Sequence, residues 1–296
     1  MQNTKAGKML RRSVVAVFIL LTMLSCGKIE HGSRHSSIVD NYDKEELSAR
    51  IAALKSSAAA QLPLVLLQYS DIHGDAVNAA RIVEFYSEFS SSIDDAICCG
   101  DNLVNDYSND YSWWERIKGS KQVLFTIGNH DTASYSDGGG YSWTAHAGED
   151  SYRKFISPSV SGWGVVQRSS QTYYYKDYQK SGMRLIVLDC MAYDEAQESW
   201  FSEVVAGARE KGLSVVAVSH YPVSAFTPIE CNYSTRPDLD AGVVKEYWSH
   251  RPKLSGAVAI IDEFIDNGGD FVCWLGGHPH KNSLGYIPKH PNQLVL

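Results

Sequence analysis

The sequence predicts an α/β fold with mostly parallel strands, organised as one domain from about Leu64 to the C-terminus. Two observations predict it. From Leu64 onward, apolar runs of strand length alternate with segments of helical character. After each of five such runs stands a short cluster of carboxylate, carboxamide or imidazole residues. In α/β sheets the carboxyl ends of strands are where ligands gather, so the five clusters converge on one edge. Because they span Asp71 to His280, a domain boundary between them would divide the site.

The elements follow in order. Leu64–Leu67 leads a strand that runs to Ser70 and delivers Asp71-Ile72-His73-Gly74. A helix from about Asp75 to Ser90 comes next, with Asp75 as its N-cap. Ala96–Cys99 precedes Gly100-Asp101-Asn102, and a helix is predicted near Tyr111–Lys118. Val123–Ile127 precedes Gly128-Asn129-His130-Asp131. Strands at Thr172–Tyr175 and Arg184–Leu188 lead into a helix from about Glu195 to Lys211. Val215–Val218 precedes His220, and Phe271–Leu275 precedes Gly277-His278-Pro279-His280. Leu284–Ile287 and Gln293–Leu296 read as two further strands around a proline-rich turn, the second reaching the end of the chain, as in a truncated domain. Upstream, a short helix is predicted over Lys44 to Ala60. Tyr221 to Leu239, with Pro222, Pro228 and Pro237, reads as mostly irregular.

A mixed set of carboxylate, carboxamide and imidazole suits Mn, Fe or Zn, whereas an all-oxygen set would favour Mg or Ca. The ligands outnumber what one ion needs. A metal pair explains the surplus, with Asp101 bridging and the rest divided into two half-sites. Two ions roughly 3.5–4 Å apart stabilise both the attacking and the leaving oxygen of an in-line displacement at phosphorus, which makes phosphoester hydrolysis the default chemistry.

In this order, D-x-H, G-D-x, G-N-H-D, H and G-H-x-H, the motifs resemble those of the calcineurin-like metallophosphoesterase superfamily, from about Leu64 to the end. The resemblance implies two mixed β-sheets packed as a sandwich and flanked by helices. It implies a first metal on Asp71, His73, Asp101 and His280, and a second on Asp101, Asn129, His220 and His278. His130 is then the histidine without a metal, facing the phosphate as general acid, and the nucleophile is a hydroxide shared by the two ions. One departure narrows the substrate. Protein phosphatases of the superfamily carry an Asp three residues after the G-D aspartate, and purple acid phosphatases a Tyr ligand there; this chain has Val104, with Asp106 nearby as the one substitute for the missing Asp. Both subgroups are disfavoured. A phosphomonoesterase leads; a nucleotide or cyclic-nucleotide phosphodiesterase and a dead cell-surface binding protein on the same scaffold are the alternatives.

The first 25 residues read as a targeting signal. Lys5, Lys8, Arg11 and Arg12 precede an apolar run, Val14 to Leu24, too short for a comfortable membrane span. It ends in Met23-Leu24-Ser25-Cys26, similar to a bacterial lipobox with Met in place of Leu, so Cys26 is expected to carry lipid and anchor the exported protein to a membrane. An ordinary cleaved signal and an uncleaved anchor are the alternatives. Cleavage would remove four cations and no acids, taking the net charge from −7 to −11. So acidic a chain is a poor polyanion binder, which argues for a small phosphoester and against nucleic acid. Residues 26–43 form a polar tether, whose His31 and His35 lack the support of a metal site.

Residues 132–150 hold Tyr135, Gly138-Gly139-Gly140, Tyr141, Trp143 and His146 just downstream of Asp131, either a lid over substrate or plain surface packing. Asp189 ends a strand and reads as a turn or supporting residue, Arg236 as a loop cation that could approach a phosphate. Cys98, Cys99, Cys190 and Cys273 lie in apolar strands as small hydrophobes; Cys231 sits in the polar loop. The sequence specifies no oligomeric state.

Overall fold

Runs such as Val65–Tyr69 are apolar on both faces, the pattern of strands covered from both sides. In the computed structural model of the chain these runs form two sheets. The structure describes residues 17–20, 44–56, 63–72, 76–102, 123–128, 131, 164–167, 171–191, 193–221, 227–232, 254–278, 282–287 and 290–295. The predicted tether, Cys26, Asp75, Val104, Asp106, the helix predicted near Tyr111–Lys118, the aromatic-rich residues 132–150 and Arg236 lie outside them.

The first sheet orders β1 (Val17–Leu20), β2 (Val65–Tyr69), β3 (Asp95–Cys98) and β4 (Val123–Phe125), all parallel. β1 falls within the apolar run from Val14 to Leu24 and pairs at the outer edge of the sheet, on β2. Between β1 and β2 comes α1 (Lys44–Lys55), and between β2 and β3 comes α2 (Ala76–Phe89). α2 buries Ala79, Ile82, Val83 and Tyr86 at helical spacing, with Phe85 and Phe89 beside them. α1 buries Ile51 and is tied to α2 through Lys44 and Glu88, and to the turn before β3 through Lys55 and Asp94 at 3.5 Å. α1 ends at Lys55, and the Ser56 hydroxyl donates to Ala53 O, giving the backbone an alternative to a further turn; the rest of the predicted helix, residues 57–60, lies outside the described residues.

The second sheet is mixed. β5 (Val165–Val166), β6 (Tyr174–Tyr178), β7 (Met183–Val187) and β8 (Ser214–Val218) precede β9 (Thr227–Asn232), β10 (Phe271–Leu275), β11 (Asn282–Ile287) and β12 (His290–Val295) in the chain. Their order across the sheet is β5-β6-β7-β8-β10-β12-β11-β9, with β7, β8, β10 and β12 mutually parallel and the flanking pairs antiparallel. α3 (Glu195–Glu210) and α4 (Ser255–Asp266) pack on each other and on β8 and β10. Asp194 caps α3 by accepting from Gln197 N at 2.8 Å. Trp200, Phe201, Val204, Val205 and Ala208 form the buried stripe of α3, the larger of them each contributing about 1.5–3 kcal/mol.

Two strand assignments differ from the sequence expectation. β6 runs to Tyr178, past Thr172–Tyr175, because Lys176 Nζ and Tyr178 Oη both reach Asp95 on the other sheet, at 2.7 and 2.5 Å. A charged pair shared between facing strands gives a polar segment a buried partner. β9 replaces part of the predicted irregular stretch. It is an edge strand, where Pro228 removes no interior hydrogen bond, and the register with β11 shifts beside it, between Leu284 and Gly285.

The sheets are joined face to face by polar bridges. Tyr174 Oη donates to Phe125 O and accepts from Phe125 N, both at 2.8 Å. Thr126 Oγ1 donates to Leu188 O at 2.6 Å, and Gln68 Nε2 to Gly276 O at 3.1 Å. These bridges fix the ends of β2 and β4 relative to β7 and β10, which is where the ligand clusters emerge. Among the described residues no helix is long and apolar enough to cross a membrane.

Candidate metal centre

Among the described residues three non-glycine residues have positive φ: Asp71 at 56°, Asp101 at 55° and His278 at 75°. Each stands in the loop after a strand, β2, β3 and β10, and each is a sequence-predicted ligand. A left-handed backbone at such a residue costs of the order of 1–3 kcal/mol and persists only where the surroundings hold it; strain of this kind gathers at functional sites.

The holding contacts are specific. Asp71 N donates to Gly100 O at 3.0 Å, tying the first cluster to the second. The Asp71 carboxylate accepts the His278 N–H, at 2.9 and 3.2 Å to its two oxygens, tying the first to the last. Gly100, at φ +93°, packs so closely that a Cβ there would lie 2.7 Å from His220 Nδ1 and 2.9 Å from Gly128 N. A Cβ on Gly128 would collide with the Asp101 carboxylate. Both glycines of the G-D and G-N-H-D motifs are therefore required by close approach.

His220 is fully buried at the end of β8. Its Nδ1 lies 2.8 Å from Cys99 O, which can only accept, so Nδ1 carries the hydrogen. The lone pair of neutral His220 is thereby placed on Nε2, 3.1 Å from Asp101 Oδ2. Two acceptors facing each other at that distance call for a proton or a metal ion between them. One ligand atom each from Asp101, His220 and His278 lies within 4.8 Å of the others. The rings of His220 and His278 meet edge to face at 5.2 Å, and Tyr221 packs on His278 at 4.4 Å. Carboxylate, imidazole and a fixed imidazole tautomer form a donor set that fits a divalent ion.

Without metal, the proton takes that place. Burial works against the imidazolium, but the Asp101 carboxylate outweighs it, with help from Asp71 and the Cys99 carbonyl, and raises the His220 pKa to about 9. The folded value lies above the ordinary histidine value of 6.5, so this contribution to the stability of the metal-free protein is fully present below about pH 6.5 and lost as pH rises through 9. A metal ion must displace that proton. Metal affinity is expected to climb by about tenfold per pH unit toward pH 9 and then level off, with a proton released on binding. Calorimetry in buffers of different ionisation enthalpy measures this; His220→Ala should lose the pH slope.

Nearby thiols stay out of the ligand set. Cys98, Cys99, Cys190 and Cys273 are free and buried. Burial pushes all four up, Cys190 to about 12, so they remain neutral thiols. Asp189 takes a turn role, accepting from the Thr172 hydroxyl and from Met191 N, while its backbone pairs with the Gln197 amide.

The structure thus brings together Asp71, Asp101, His220 and His278. His73, Asn129, His130 and His280 lie outside the described residues, each within two positions of a described one. Asp131 is the residue to which the sequence reading gave no role. It is 2 % exposed, and its carboxylate accepts from Asp101 N, Asn102 N and Gly128 N at 2.8, 2.9 and 2.9 Å. Its place in G-N-H-D was the only signal.

A family model described as calcineurin-like phosphoesterase matches residues 64–282. The chain belongs to the calcineurin-like phosphoesterase family. It is a phosphoesterase, and the chemistry of its family is metal-dependent hydrolysis of phosphoesters with divalent ions. A dimetal phosphatase from Danio rerio shares the fold, with a TM-score of 0.53 at 11% identity over 78% of this chain and 85% of that one. A phosphopantetheinyl hydrolase from Mycobacterium tuberculosis aligns over 80% of this chain and 88% of its own, at 14% identity and a TM-score of 0.41. No curated protein matches the chain.

Proposed function

We propose that this phosphoesterase hydrolyses small phosphomonoesters at a dinuclear centre. Asp71, His73, Asp101 and His280 would hold one ion and Asp101, Asn129, His220 and His278 the other, with Mn, Fe or Zn as the candidate metals. The observation that carries the reading is the convergence of Asp101, His220 and His278 with a histidine tautomer already fixed for ligation. Divalent ions held there supply Lewis acidity toward the phosphate oxygens and acidify the water that attacks phosphorus.

The chain's own residues do the rest. Cys99 O keeps the His220 Nε2 lone pair turned inward, and the Asp71 carboxylate keeps the His278 backbone in place. Asp101 supplies negative charge that offsets the cations. His130, next to Asn129, is assigned to the leaving group, donating a proton to the departing oxygen. The acidic balance of the chain favours a compact phosphoester over a polyanion.

Release of phosphate from a panel of alkyl and aryl monoesters, nucleotides and diesters with Mn present tests the substrate class. Turnover confined to diesters would replace the monoesterase by a phosphodiesterase, in which Tyr135, Tyr141 and Trp143 offer rings for a base to stack on.

We also propose that residues 1–25 direct export and that Cys26 carries a lipid anchor, from the basic start, the apolar run and Ser25-Cys26. The full chain is expected to partition into detergent and Cys26→Ala into the aqueous phase. Equal mass and aqueous partitioning for both would refute the anchor.

A further inference from the structure

We propose that Asp131 is a positioning residue of the metal centre: its carboxylate holds Asp101 in the left-handed turn that lets the Asp101 side chain serve both ions. The inference rests on the reading of Asp101 as the bridging ligand. Asp131 Oδ2 accepts from Asp101 N and Gly128 N, and Oδ1 accepts from Asn102 N. The backbone N–H of Asp131 donates to Gly128 O at 3.1 Å. One buried carboxylate thus ties the loop after β3 to the loop after β4.

The chemistry of this contact requires a carboxylate. Gly100 at φ +93° and Asp101 at φ +55° turn the chain so that the successive N–H groups of Asp101 and Asn102 aim at one point, a concavity suited to an anion. Both Asp131 oxygens are engaged, one by two donors and the other by one. An asparagine has one acceptor oxygen and an amide that only donates, so in either orientation at least one backbone N–H would face a donor. The strained turn at Asp101 would lose its anchor. With Gly128 packed against the Asp101 carboxylate, and that carboxylate 3.1 Å from His220 Nε2, a slip of this loop moves the bridging atoms directly.

The experiment titrates the metal-free full chain with Mn²⁺ alone and follows affinity by calorimetry and ion–ion coupling by electron paramagnetic resonance. The variants are Asp131→Asn, Asp131→Glu, Asp101→Asn and Lys176→Met, the last weakening the remote cross-sheet pair with Asp95. Asp131→Asn is expected to lose roughly 10- to 100-fold in Mn affinity and to replace the coupled two-ion signal by that of isolated ions. Asp131→Glu, which keeps the charge, should recover part of the coupling. Lys176→Met should lower thermal stability and bind Mn as the unaltered chain does. Unaltered affinity and coupling in Asp131→Asn would overturn the proposal, as would an equal metal loss in Lys176→Met. If Asp131→Asn does not fold, Asp131→Ser, which also lacks the carboxylate, takes its place, and unaltered affinity and coupling there overturn the proposal equally. Asp101→Asn separates the two levels: two coupled ions retained there would sink the bridging assignment itself, independently of Asp131.

Discussion

Asp101→Asn is expected to reduce turnover to background and to deplete metal at both half-sites, the largest effect of any single change in this chain. The substitution is a clean one. Asparagine has nearly the size of aspartate and is equally tolerant of a left-handed backbone, so the φ of 55° need not change. What is lost is the charge. Asp101 is fully buried, lies 3.1 Å from His220 Nε2 and is the main cause holding the His220 pKa up. Its removal therefore also lowers that pKa, which can be followed by the histidine ring resonances of the metal-free protein. His220→Ala, by contrast, should affect chiefly one ion, because His220 is assigned to one half-site alone. Metal counts on chelated and Mn-reconstituted protein separate the two variants; wild-type turnover in reconstituted Asp101→Asn would contradict the two-metal assignment.

His130→Ala carries the second large effect, and it is selective. An alkyl phosphate expels a basic alkoxide and needs a proton donor, whereas an aryl phosphate expels a stabilised phenolate and needs little help. The variant should keep both metals, lose roughly 10²–10⁴-fold on alkyl esters and lose distinctly less on aryl esters. Equal losses on both classes with metal intact would assign His130 to phosphate binding. Loss of a metal would make it a ligand.

Much of this architecture was legible because parallel strands buried on both faces leave unbroken apolar runs. Val65–Tyr69, Ser214–Val218 and Phe271–Leu275 announce themselves in that way, and the ligand clusters after them inherit their position from the strand ends. Legibility failed where a neighbour from elsewhere in the chain decided the outcome. Lys176 continues β6 because Asp95 waits on the facing sheet, and Pro228 is tolerated in β9 because that strand lies at an edge. Neither partner is local in sequence. At the site, the ligand types could be read from the chain, but the device that aims them could not. Asp131 acts on backbone N–H groups, which every residue except proline has, so nothing in the spacing marks its targets. The left-handed turns at Asp71, Asp101 and His278 are equally silent, since Asp and His carry no obligatory signature of positive φ.

The central claim is that Asp71, Asp101, His220 and His278, with their sequence neighbours, hold a pair of divalent ions on which hydrolysis depends. The most direct measurement is the metal content of the purified chain set against its turnover, before chelation, after it and after Mn is returned. The account expects two ions per chain, no hydrolysis once they are removed, and recovery that follows occupancy of the second ion. Full activity in the chelated protein, or maximal activity with a single ion bound, would contradict it.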